Sequence, residues 1–193
     1  VLAADALHQA AACSPLYCFP NKPEDIIALE YAIRNDSEDA RAPYYLGCLW
    51  YDRRQYDDAI ACWELSSRKD PAFPTVWRNL SLAYYNKRGN PVSALECMEK
   101  AFSLDRTDAR VLLELDQLYR KLGRSVRERF AFLEEHRDTV FMRDDLTVEY
   151  VTLLNDQERW SEALEIMKNR HFHAWEGGEG KVTTQYAVSL TQL

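Results

Sequence analysis

The residues of this 193-residue chain whose types invite chemistry are few, and the densest group is HFHAWEGGEG at 171–180. It holds two of the four histidines, two carboxylates, a tryptophan and three of the six glycines. A His-x-His pair can ligate a metal, a tryptophan can stack on a sugar ring, and a glutamate can accept hydroxyl hydrogen bonds or donate a proton. His171 and His173 have no third ligand nearby, and their alternation suits a strand rather than a fraying helix end, so no metal site is expected. His173, Trp175, Glu176 and Glu179 remain candidates for a contact or ligand loop, against the plainer reading of a connector. Cys13 and Cys18 also lack two further close ligands. With Cys48, Cys62 and Cys97 they form an odd set that reads as reduced thiols in a cytoplasmic protein, not as a disulfide framework. The acidic pairs Asp57-Asp58 and Asp144-Asp145 fall at expected helix starts, where they complement the helix dipole. There is no phosphate-cradling glycine motif and no nucleophile elbow, so no catalytic residue and no cofactor is expected.

Composition narrows the class. Hydrophobic residues make up 47% and charged residues 28%, as in folded globular proteins. A net charge of −7 argues against nucleic acid, which needs a basic surface. No apolar run is long enough to span a bilayer. VLAADALHQAAA at the start has neither an initiating Met nor a signal-peptide pattern, and VSLTQL stops within a periodic pattern, so a fragment of a longer protein is expected.

What must position these residues is a repeat. APYYLGCLWYDRRQYDDAIACWELSSRKDP aligns with TVWRNLSLAYYNKRGNPVSALECMEKAFSLDR at a period of about 34 residues. Leu46-Gly47 falls on Leu80-Ser81, Trp50 on Tyr84, Ala59 on Ala94 and Trp63 on Met98. A third copy carries Leu115, Tyr119, Gly123 and Phe132, and a fourth Tyr150, Leu154, Trp160, Ala163 and Met167. Each copy has two apolar stretches at helical spacing around a short polar turn, the pattern of a helical hairpin. Asn90-Pro91 reads as a cap followed by a first-turn proline, Ser125 and Glu128 as a capping box, and Gly89 and Gly123 as left-handed stops. Pro43, Pro71 and Pro74 lie at or before helix starts.

At these residues the chain resembles a tetratricopeptide repeat (TPR) array over roughly residues 40 to 175. Leu46, Gly47, Trp50, Tyr56, Ala59, Trp63 and Asp70-Pro71 carry the first copy. Arg106 replaces the usual Pro in the second. In the third, Glu128 stands in the small-residue slot, so local spreading or a shifted register is expected there. The resemblance implies an all-α, right-handed superhelical solenoid of antiparallel hairpins, with repeats at 40–73, 74–108, 109–143 and 144–175. A divergent helical hairpin over 1–39 would cap it, with Tyr17 and Phe19 in its long connector, and 176–193 would supply a Gly-rich loop and a further helix carrying Val182, Tyr186 and Leu190, in one continuous array. One hairpin cannot bury its own stripe, so Trp50, Tyr84, Tyr119, Trp63 and Phe132 are expected in a shared core. The cluster Arg120, Lys121, Arg124, Arg127 and Arg129 is expected to be a solvated face.

In proteins of this kind the first helices line a concave face that binds a partner peptide or helix. Here that face maps to Arg41, Tyr44, Tyr45, Cys48, Tyr51 and Asp52, then Arg78, Asn79, Leu82, Tyr85 and Asn86. Copies three and four add Arg110, Leu113, Glu114, Gln117 and Lys121, and Glu149, Thr152 and Asp156. Tyr, Arg and Asn side chains give contact area with directed hydrogen bonds. The carboxylate clamp of chaperone-binding TPR domains is not expected, because Tyr44, Cys48 and Glu114 occupy slots that would hold Lys, Asn and Arg. The leading expectation is a non-catalytic scaffold for a protein partner or another domain of its own chain. The alternative is a helical accessory region of a larger bacterial carbohydrate-active enzyme. CFPNKPEDI and FHAWEGGEGKV are similar to segments of bacterial multidomain TPR proteins with an upstream β-rich, sugar-related domain, and the 171–180 loop would then face a ligand.

Overall fold

The computed structural model describes residues 2–13 and 18–193, and Tyr17 lies outside them. All regular structure among the described residues is helical. The chain forms two compact units, Val1–Leu104 and Asp105–Leu193. The first holds α1 (Leu2–Ala12), α2 (Pro23–Asn35), α3 (Arg41–Asp52), α4 (Tyr56–Lys69), α5 (Pro74–Arg88) and α6 (Pro91–Leu104). The second holds α7 (Ala109–Lys121), α8 (Val126–Glu135), the single turn α9 (Arg137–Val140), α10 (Asp144–Asn155), α11 (Trp160–Asn169) and α12 (Lys181–Thr191).

Local chemistry sets the helix ends. Asn90 Oδ1 accepts from the Ser93 N–H at 3.1 Å, and Asp108 Oδ1 from Arg110 and Val111 at 2.9 and 3.1 Å. Ser125 and Glu128 form the expected reciprocal capping box, which puts the Glu128 carboxylate in solvent. The first helix of each pair stops on one left-handed residue: Arg54 (φ 63°), Gly89 (φ 58°), Gly123 (φ 81°) and Glu158 (φ 61°). The next N–H then reaches back into the last turn, from Gln55 to Trp50 O at 2.9 Å and from Arg159 to Leu154 O at 3.0 Å. Two of these four positions lack the glycine that marks such a stop in a sequence.

In the hairpins α3/α4 and α5/α6 one position of the first helix meets the second helix closely, whereas α7 and α8 stand further apart. At Gly47 a Cβ would lie 2.5 Å from Trp63 Nε1 and 3.1 Å from the Ala59 carbonyl oxygen. The equivalent Ser81 donates its hydroxyl to Ala94 O at 2.6 Å, fully buried. In the third pair the position is Asp116, 0% exposed, which accepts from Arg129 Nε at 2.9 Å and Nη2 at 2.6 Å. Ala59, Ala94 and Ala163 are each fully buried on their second helices. On α8 the expected slot, Glu128, faces solvent and the next residue, Arg129, is buried instead. The register is therefore shifted by one, and Arg129 is corrected from a solvated face to an interior ion pair.

In the first unit the core gathers Ala59, Ile60, Trp63, Val76, Leu80, Ala83 and Cys97, with Trp50 and Tyr84 packed against it half-buried. In the second, Leu112, Leu133, Leu146, Tyr150, Val151 and Ala163 are fully buried. Tyr119 is buried there, and the half-buried Phe132 sets its edge to that ring at 5.2 Å between centroids. α12 departs from expectation: Tyr186 and Leu190 are 36% and 52% exposed, while Ser189 is fully buried. Ser189 donates to Asn155 Oδ1 at 2.9 Å and Asn155 donates to Gln185, so a polar network rather than the apolar stripe seats this helix. Phe19 in the N-terminal connector is 76% exposed.

Candidate partner-binding faces

In the first unit the expected face is assembled by side-chain contacts between α3 and α5. Asn79 Nδ2 lies 3.9 Å from Cys48 Sγ, and Phe73, just before α5, stacks on Tyr44 at 4.9 Å. Tyr44 and Tyr45 are neighbours at 5.2 Å, and Tyr51 lies 5.3 Å from Trp63 and 5.1 Å from Tyr56. Trp63 Nε1 donates to Tyr44 O at 3.2 Å, which ties the row to α4 behind it. Arg41, Tyr44, Tyr45, Cys48, Tyr51, Arg78, Asn79, Leu82 and Tyr85 are all half-buried, and Asn86 is exposed. Such side chains are covered by neighbours on one side and accessible on the other.

One residue escaped the sequence reading. Lys87 Nζ sits 4.1 Å from the Tyr56 ring centroid and 5.9 Å from that of Tyr51, closing this end of the face. Its spacing of eight from Asn79 was the available signal. Burial raises the Tyr44 hydroxyl well above the ordinary range, helped by Cys48, and it pushes Tyr45 up to about 12, helped by Cys18. Both stay protonated donors at neutral pH. Burial likewise raises Cys48 and takes Cys62 to about 11 and Cys97 to about 12, so these are packing thiols, not nucleophiles.

The expected face of the second unit differs. Leu113 is buried, Glu114 and Gln117 are half-buried, and Arg110 is exposed with its Nε 3.3 Å from Glu114 Oε1. Arg120 reaches Glu149 at 3.3 Å and Arg129 reaches the same carboxylate at 3.6 Å. Here charges answer one another within the chain.

The 171–180 stretch runs from the end of α11 back to the start of α10. Arg170 Nε donates to Asp144 Oδ1 at 2.7 Å, and the His173 N–H and ring Nδ1 lie 2.9 and 3.1 Å from Asp144 Oδ2. Burial alone would raise the Asp144 carboxyl, but the His173 N–H and Arg170 outweigh it and hold the group below its ordinary 3.8. Each glycine has a backbone reason: Gly177 and Gly180 have φ 75°, and a Cβ on Gly178 would fall 2.2 Å from the Trp175 indole. Glu176 and Glu179 are exposed, and a shallow cavity of about 210 Å³ lies between Arg143, Asp144, His173 and Trp175. No group of three or more His, Cys, Asp or Glu suited to a metal occurs among the described residues. Trp175 packs on its own turn, and nothing in this geometry supports the accessory-enzyme reading.

No protein-family model matches the chain. Its likeness is to solved structures. The crystal structure of YrrB, a TPR protein with an unusual peptide-binding site, matches at TM-score 0.58 and 15% identity over 98% of this chain and 84% of YrrB. The chain has the tetratricopeptide-repeat fold. TTC0263, a thermophilic TPR protein of Thermus thermophilus, matches at TM-score 0.53 and 18% identity over 86% of this chain and 89% of its own. The first TPR of Spaghetti (RPAP3), bound to the HSP90 peptide SRMEEVD, matches at TM-score 0.52 and 20% identity over 64% of this chain and 96% of its own. The TPR fold accounts for the recurring hairpins in both units. No helix among the described residues is long and apolar enough to cross a membrane.

Proposed function

We propose that this chain is a non-catalytic TPR scaffold that binds a protein partner, or another domain of its own chain, through the faces of its first helices. The observation that carries the reading is the α3/α5 face. Tyr44, Tyr45, Tyr51 and Asn79 there are ordered by contacts to one another, to Cys48 and to Trp63, and with the half-buried Arg41, Arg78 and Tyr85 they keep accessible edges. Aromatic and Arg side chains fixed in this way dominate recognition surfaces because little entropy is lost on binding. The peptide-binding site named for YrrB and the peptide complex of RPAP3 support the same use of the fold. A chaperone-type carboxylate clamp is not the mode, since Tyr44 and the half-buried Cys48 replace charged and amide donors. Five free thiols suit a reducing compartment, the cytoplasm. The test is selection of peptides from a displayed random library by the intact chain. Selected peptides should lose binding roughly ten-fold or more with Tyr44→Ala or Tyr85→Ala, as expected for central aromatic contacts. Recovery of no peptide, or binding unmoved by these changes, would sink the reading.

A further inference from the structure

The hairpins α3/α4 and α5/α6 repeat one internal contact. On the first helix a large apolar residue is followed at once by a small one and then, one turn on, by an aromatic: Leu46-Gly47 with Trp50, and Leu80-Ser81 with Tyr84. The second helix answers with an alanine and a large apolar residue one turn later, Ala59 with Trp63 and Ala94 with Met98. Gly47 leaves the room that Trp63 fills, and Ser81 donates to Ala94 O at 2.6 Å. Leu46, Leu80, Ala59, Ala94, Trp63 and Met98 are all buried as a result. α12 carries the first-helix half of this contact. Tyr186-Ala187 with Leu190 stand at the same places in α12 as Leu46-Gly47 with Trp50 in α3. The adjoining side of α12 is already used. Gln185 and Ser189 bond to Asn155 of α10, much as Asn79 of α5 meets Cys48 of α3. The side that α6 covers on α5 is open on α12: Tyr186 is 36% and Leu190 52% exposed, and Thr183 and Ala187 are exposed beside them.

We infer that this side of α12 is a docking site for one amphipathic helix of a partner protein, a helix of the α4 and α6 kind, with alanine at the crossing and Met or Trp one turn later. The occupant follows from the contact that the chain itself repeats. A small residue at Ala187 admits a close crossing, and a helix that crosses closely must be small there too. A second copy offers no helix of this kind, because Ala59, Ala94 and Ala163 are fully buried in their own hairpins. Lys181 is the one charged residue of α12, so apolar area rather than ion pairing holds the partner helix. The site is separate from the α3/α5 face and does not depend on it.

The probe is a fluorescein-labelled, amidated peptide with the sequence of Pro91–Leu104, held helical by a lactam between Glu96 and Lys100, both exposed on α6. Titrated with the intact chain under reducing conditions, it should bind saturably and slow amide exchange in α12. Leu190→Glu sets a carboxylate against the probe's apolar side and should weaken binding about ten-fold or more. Ala187→Leu fills the crossing and should weaken it about as much. Val188→Glu, exposed on another side of α12, should change it less than about two-fold. A probe carrying Met98→Glu should not bind. Circular dichroism melts confirm that each variant is folded, and Leu190→Gln serves if Leu190→Glu is not. Absence of saturable binding overturns the inference. So does binding that ignores both Leu190→Glu and Ala187→Leu, the result expected if the probe displaces α6 from α5. A dimer in light scattering that Leu190→Glu dissolves also overturns it, since a second copy then covers the stripe.

Discussion

The two units of this chain solve one packing problem by opposite means. Where the first helix of a hairpin must approach the second, the first unit removes or shortens the side chain, with Gly47 under Trp63 and Ser81 donating to Ala94 O. The second unit puts a carboxylate at the equivalent place, Asp116, and supplies Arg129 from α8 to meet it. At the surface, the first-helix face of the first unit carries packed tyrosines, and that of the second carries the Arg110–Glu114 and Arg120–Glu149 pairs. The comparison teaches that a small residue goes with a close crossing, as in α3/α4 and α5/α6, whereas a matched charge pair fills the space where α7 and α8 stand further apart.

The largest effect expected on this contrast comes from splitting the buried pair. Arg129→Ala leaves Asp116 buried without its partner and should cost about 3–5 kcal/mol in urea denaturation. Replacing both, as Asp116→Ala with Arg129→Leu, should recover most of that loss, because an apolar pair needs no desolvation of charge. A double variant as unstable as the single one would mean that the pair does more than fill space. Next in size is Gly47→Ala, which forces a methyl into the Trp63 ring and should cost about 1–3 kcal/mol. An unchanged denaturation midpoint there would deny the close approach.

A smaller effect concerns the 171–180 loop. Because the folded Asp144 carboxyl is held below its ordinary 3.8, its contribution is present above that pH and is lost as pH falls through the folded value. Amide exchange at His173 should be slow near pH 6 and lose protection as the solution is taken well below pH 3.8, while Asp144→Asn weakens protection at every pH. Protection independent of pH would separate the loop from Asp144. Smallest of all, Arg54→Gly and Glu158→Gly should each stabilise their unit by ~0.5 kcal/mol, since relief of left-handed strain slightly exceeds glycine's entropy cost. Equal gains would show that the helix stop is independent of how each hairpin packs.

Much of this was legible because it depends on local order in the chain. The 34-residue period is a pattern along the chain itself, and the cap at Asn90, the capping box at Ser125 and the stops at Gly89 and Gly123 are each set by residues within one or two turns. Arg129 was not legible. A basic run next to Glu128 reads as solvated, and only the distant Asp116 gives the guanidinium a reason to be inside. Arg54 and Glu158 were equally silent, since nothing in an Arg or a Glu announces φ near +60°. In α12 the apolar spacing of Val182, Tyr186 and Leu190 does not mark the buried side, where the half-buried Val182 is followed by Gln185 and Ser189 of the Asn155 network.

The sequence by itself determined the class of structure. Apolar spacing repeated at a period of about 34 residues is satisfied by stacked helical hairpins. Tertiary structure alone decided which side chains face one another across helices. It joined Cys48 to Asn79 and Lys87 to Tyr56, buried Arg129, and tied HFHAWEGGEG to Asp144. The physical reason is that helix periodicity assigns a residue to a side, while the partner on that side comes from a helix 13 to 31 residues away, at a register that small, polar and charged contacts set only when the whole unit packs.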